Sequence, residues 1–151
     1  MDFLNFKMID QVVSLDKENK SIICTTKLPE SSSIFDAHFP GFPILPGVFM
    51  IETIAQAAGF LFVGLEGIKR MPILFGVENT RFRQIVQPTA QLMVRVQLSH
   101  YGSGYIICAG EIDHQDANIA KVEVRLKLID IPTKETEQLV HHHCIAVQLP
   151  M

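Results

Sequence analysis

The sequence predicts an α+β domain in which an antiparallel sheet wraps one long buried helix, and three observations carry that expectation. The segments QLMVRVQLS from Gln91 and KVEVRLKLI from Lys121 alternate polar and apolar residues, as strands with one wet face do. The run from Val48 to Leu65 is apolar on nearly every face, the pattern of a helix surrounded by other structure. With 151 residues, 48% hydrophobic and 19% charged, the chain has enough apolar material for one core and too little length for two.

The elements follow in order. Residues 3–14 (FLNFKMIDQVVS) and 20–28 (KSIICTTKL) are rich in β-branched and aromatic side chains and flank the polar cluster Asp16–Asn19, which predicts a hairpin. Pro29–Phe35 (PESSSIF) reads as a polar loop leading into a turn built of Pro40, Gly41, Pro43, Pro46 and Gly47. In the helix that follows, Ala55, Ala57, Ala58 and Gly59 leave one part slim enough for close packing. A membrane span competes for so apolar a run, but Glu52, Thr53 and Gln56 fall within it, and an ionisable group in hydrocarbon is costly. Gly64, Gly67 and Pro72 end the helical pattern. Ile73–Val86 then reads as strand, turn and strand, with Arg81 and Arg83 on one side and Phe82 on the other. Tyr105–Asp113 supplies a middle strand between the two alternating ones, opened by Gly102-Ser103-Gly104, so the C-terminal half is expected to be a meander. Pro132 and the polar stretch after it mark an exit, giving a domain over 1–131 and a tail over 132–151 that reads as surface, or as a short added strand.

Composition removes several function classes. A net charge of −3 without any basic run leaves no footprint for nucleic acid. Cys24, Cys108 and Cys144 are odd in number and lack C-x-x-C spacing, which predicts free thiols in a reducing cytoplasm. His141, His142 and His143 beside Cys144 invite a metal, but adjacent side chains of an extended segment point to opposite sides and cannot converge on one ion, so no metal is expected. MDFLNFKMID has no basic region ahead of an apolar core and is not read as a signal peptide.

The chemistry concentrates between His38 and Gly59. His38 lies in the Pro/Gly turn, and Glu52 is the single acid of the helix. Gln56, one turn on, shares the face of Glu52. An imidazole and a carboxylate brought together among apolar side chains form an acid/base pair.

These residues carry a family likeness. HFPGFPILPGV from His38, followed by Glu52 and by Ala55-Gln56, strongly resembles the FabZ-type (3R)-hydroxyacyl-[acyl-carrier-protein] dehydratases. A second block, Phe75-Gly76-Val77-Glu78-Asn79 leading to Arg81-Phe82 and Pro88, is similar to that family's later motif. The resemblance covers Phe3 to Asp130 and implies a hotdog fold, with His38 as base and Glu52 as acid, the latter enclosed by apolar side chains that let it hold a proton. It also implies a carbonyl site at the helix start, where the N–H groups of Gly47 and Val48 are natural donors, and a Gln56 that orients Glu52. No cofactor is implied. The partners implied are acyl carrier protein with its phosphopantetheine thioester and a second copy of the chain, in a homodimer or a trimer of dimers, with His38 and Glu52 of one site drawn from opposite subunits. Two departures stand out: Gln11 where an arginine is usual, and Pro88-Thr89-Ala90 where P-G-D is common. Two alternatives stay open, a hotdog thioesterase in which Glu52 activates water, and a non-catalytic acyl-binding subunit of a heteromeric dehydratase. Phe49, Met50, Phe60, Phe62 and Phe75 are candidates for an acyl tunnel or for plain core, and Arg81 and Arg83 for a carrier contact or a wet strand face.

Overall fold

The computed structural model describes residues 7–151. Six strands, β1 (Gln11–Asp16), β2 (Ser21–Lys27), β3 (Arg70–Phe82), β4 (Gln91–Gly102), β5 (Tyr105–His114) and β6 (Ala117–Asp130), are accompanied by helices α1 (Ser33–Ala37), α2 (Gly47–Glu66) and α3 (Lys134–Ala146). The strands form one antiparallel sheet in the order β1-β2-β4-β5-β6-β3. The strand that follows α2 therefore lies at the opposite edge from the hairpin that precedes it. β4, β5 and β6 are the expected meander, joined by two-residue turns at Ser103-Gly104 and Gln115-Asp116 whose residues all have positive φ.

Alternation decides which face of the sheet meets the helix. Leu92, Val94 and Val96 of β4, Ile106, Cys108 and Ile112 of β5, and Val122, Val124 and Leu126 of β6 are buried. Their neighbours form a water-facing ladder in which Arg95 bridges Glu111 (3.0 Å) and Asp113 (2.6 Å) and Lys121 bridges Glu111 (3.1 Å). α2 packs on strands β2 to β6, so the helix that by length and composition could cross a membrane is the core of the sheet's concave face. At Gly110 the helix comes so close that an added Cβ would overlap Ile54 Cγ2.

Four expectations change. β1 begins at Gln11 rather than within residues 7–10, and the part of that expectation on residues 3–6 lies outside the described residues. The segment read as a polar loop contains α1: Ser32 Oγ accepts from the Ile34 N–H (3.1 Å), and buried Ile34 and Phe35 hold the short helix to the core. Ile73–Val86 is not two strands about a turn, because β3 runs unbroken to Phe82 along β6 and absorbs its irregularities as bulges, one of them at Asn79 with φ of 49°. The tail is neither loose nor a strand. Thr133 Oγ1 caps α3 by accepting from the Thr136 N–H (3.1 Å), with Glu135 and Glu137 in the first turn. Beyond α3, Val147 O accepts from the Val12 N–H (2.7 Å), and Cys144, Val147 and Leu149 join the single buried cluster.

Candidate active site

His38 is held by local structure on both sides. It caps the C-terminus of α1, donating its N–H to Ile34 O (3.0 Å). The next residues close a tight loop: Phe39 and Phe42 exchange backbone hydrogen bonds (3.0 and 2.9 Å), and the Ile44 N–H returns to His38 O (2.8 Å). Gly41 takes φ of +75° there, a conformation that a side chain would strain. Leu45 N–H then donates to Val86 O (2.8 Å), tying the loop to the chain beyond β3. The imidazole stacks on Phe39 at 4.1 Å, and its Nδ1 faces Ile44 O at 3.3 Å. A carbonyl oxygen only accepts, so Nδ1 carries the proton in that bond and Nε2 keeps its lone pair.

His38 lines a cavity of about 300 Å³ together with Ile44, Leu45, Gly47, Met50, Phe82, Arg83, Gln84 and Ile85. Gly47 opens α2 after Pro46, which offers no side-chain cap, and the Phe49 N–H donates to Pro46 O (3.0 Å). An added Cβ at Gly47 would come within 2.7 Å of the Phe82 ring, and glycine is what lets the helix start reach this cavity. Val48 follows in the same turn with its side chain 66% exposed, which leaves its backbone as the part that could serve the site.

Glu52 stands on a different surface. Gln56 Nε2 donates to Glu52 Oε1 at 3.0 Å, the orientation expected of residues one turn apart. The two share a cavity of about 400 Å³ with Gly59, Phe60, Val63, Pro72, Leu74 and Val140 among its walls. The expectation that apolar side chains enclose Glu52 fails for the single chain, where Glu52 is exposed because none of the described elements covers that turn of α2. His38 and Glu52 thus line separate cavities of one chain.

The other named residues divide. Phe60 lines the Glu52 cavity and Met50 the His38 cavity, whereas Phe62 is core and Phe75 is exposed on the β3 edge. Arg83 reaches the His38 cavity beside Phe82, while Arg81 stays on β3 opposite Lys121. His143 lines the Glu52 cavity, but His141 and His142 line a cleft on the other side of α3 with Ile68. The helix, not an extended segment, is what separates them. All three cysteines are free and buried; burial pushes the thiols of Cys24 and Cys108 up to about 12 and raises that of Cys144. Thiols so shielded are inert as nucleophiles at neutral pH. Val140 and His143 were beyond sequence reasoning because the tail gave no sign of folding back. Their signal is the apolar spacing Val140, Cys144, Val147, which marks one face of a helix.

Residues 3–123 match the FabA-like domain family. The 3-hydroxyacyl-[acyl-carrier-protein] dehydratase FabZ of Coxiella burnetii is 34% identical over 123 residues, covering 79% of this chain and 86% of that protein. FabZ of Chlamydia pneumoniae is 33% identical over 131 residues, covering 83% and 84%. The chain belongs to this family of hotdog-fold dehydratases, on its FabZ side. Among solved structures, a hypothetical thioesterase with coenzyme A from Streptococcus pneumoniae superimposes with a TM-score of 0.63 at 13% identity, covering 87% of this chain and 91% of that one. The dehydratase heterocomplex ApeI:P from Xenorhabdus doucetiae gives 0.59 at 19%, covering 77% and 96%. At those identities the two structures share the fold with this chain and no more.

Proposed function

We propose that the protein reversibly dehydrates (3R)-hydroxyacyl thioesters on acyl carrier protein to trans-2-enoyl thioesters. The observation that carries this reading is a His38 ring whose Nδ1 is held by Ile44 O, together with, in a separate cavity, a Glu52 held by Gln56, in a chain of the FabZ family. Nε2 of His38 removes the proton at C2, and the electron pair becomes the C2–C3 double bond as the C3–O bond breaks. Glu52 donates the proton with which the hydroxyl leaves as water. The N–H groups of Gly47 and Val48 hold the thioester oxygen as it gains charge. His38 then returns its proton and Glu52 regains one through solvent. No electrons enter or leave in this elimination, so it calls for no redox cofactor.

A complete site takes two copies. Ile73, Leu74, Phe75 and Val77 are exposed on β3, an edge strand, and an apolar edge of that kind is a surface for strand addition. A second copy docked there would cover Glu52 and bring up a His38 from across the boundary, in a homodimer or a trimer of dimers. Arg83 at the His38 cavity suits the phosphopantetheine arm of the carrier. Free buried thiols fit a cytoplasmic address. Residues 1–131 form the dehydratase domain in this reading, and 132–151 are an addition to it.

The test is hydration of crotonyl thioester on carrier protein, followed by loss of the enoyl absorbance. His38→Ala and Glu52→Gln are each expected to lower kcat by about 10²–10⁴-fold with unchanged melting. Full activity in either variant overturns the role given to that residue. Release of free thiol without hydration would instead favour a thioesterase.

A further inference from the structure

The Glu52 cavity is polar at one end and apolar beyond it. From Glu52 and Gln56 it follows α2 past Gly59 and Phe60 to Val63, eleven residues and so about 16 Å of helix. β3 from Met71 to Leu74 and Leu126 of β6 form a second wall, Val140 and Cys144 of α3 a third, and exposed His143 is the remaining polar ring. Two observations place α3 toward the end of α2 remote from Glu52. Leu149, just past α3, lies 3.4 Å from where a Cβ on Gly64 would stand, and Ile68, just past α2, shares a cleft with Lys134 and Ile145. The family match stops at residue 123, so this wall is an addition of this chain to the matched region.

We propose that α3 closes the far end of the acyl-chain site and that Val140 sets how long an acyl chain the enzyme accepts. The inference rests on the dehydratase reading for its substrate, an acyl thioester whose carbonyl end lies by Glu52. An apolar chain running from there along Gly59 and Phe60 meets Val140 last. Volume at that position is then a length gauge.

The experiment measures kcat/KM for enoyl thioesters of four, eight and twelve carbons on carrier protein. Filling the end with Val140→Trp is expected to lower the twelve-to-four-carbon ratio by about tenfold or more, and emptying it with Val140→Ala to raise the ratio, since one methylene of fit is worth roughly tenfold upward. Leu139→Trp, on the exposed side of α3, serves as the control with an unaltered ratio. A general loss of folding cannot move the two Val140 variants in opposite directions. Binding without turnover is read by isothermal titration of dodecanoyl-pantetheine and acetyl-pantetheine into the wild type and both Val140 variants. Dodecanoyl-pantetheine should bind Val140→Trp about tenfold more weakly than Val140→Ala, and acetyl-pantetheine should bind the two alike. Unaltered ratios in both Val140 variants, or dodecanoyl binding that ignores the size of the side chain at that position, overturn the wall. If the wild type hydrates none of the substrates but dodecanoyl binding still follows the size of that side chain, the dehydratase reading fails and the wall stands.

Discussion

At the scale of the residue, the proposed site depends on two side chains held by one neighbour each. Ile44 O selects the tautomer of His38, and it does so from within the same tight loop, so the orientation is built before any partner arrives. Gln56 holds Glu52 Oε1 and leaves Oε2 for the hydroxyl it must meet. Gln56→Leu keeps the helix and removes that donor. A hydrogen bond to a charged group contributes about 1.5–3 kcal/mol, so kcat should fall about tenfold or more while KM changes little. A rise in KM with kcat intact would make Gln56 a binding residue instead, and steady-state kinetics on crotonyl thioester distinguishes the two.

At the scale of the element, the fit of α2 against β5 is the tightest joint. Gly110 has no side chain, and Ile54, fully buried, occupies the space that one would take. Gly110→Ala gains about 0.4–1 kcal/mol from a stiffer unfolded chain, but overpacking a filled core costs about 1–3 kcal/mol. The second effect wins. A lower urea midpoint at unchanged m-value is the expected result, and with Ile54→Ala, which removes the Cγ2 that an added Cβ would overlap, the double variant should lose less than the sum of the two single losses because the sites are in contact. Independent, additive effects would mean that the helix simply shifts away.

At the scale of the whole molecule, the two sheet edges differ. Val147 O bonds to the Val12 N–H on β1, whereas β3 is left with exposed apolar side chains. The proposed assembly through β3 uses that difference, and it would account for the separate cavities of His38 and Glu52. If each site is shared across a two-fold axis, His38→Ala and Glu52→Gln are inactive alone but complement each other when dissociated and reassembled together. Half of the dimers are then mixed and carry one intact site, so about a quarter of wild-type activity should return. No recovery would place both residues of a site in one chain.

The sequence by itself determined the parts whose signal is local. Period-two alternation marked β4 and β6 because each strand has one wet and one dry face, and an unbroken apolar run marked α2 because the helix is surrounded. The family was legible through the motif that begins at His38, and the Glu52–Gln56 contact through its four-residue spacing. Tertiary structure alone decided the rest. Five-residue α1 is too short to hold without the burial of Ile34 and Phe35, and β3 is one strand because β6 offers a ladder that carries its bulges. Residues 134–149 look polar until Val140, Cys144, Val147 and Leu149 find an apolar surface supplied by distant parts of the chain. The acid's exposure and its distance from the base's cavity were hidden for the same reason: motif spacing says which residues belong together, while burial and cover are properties of the folded surface.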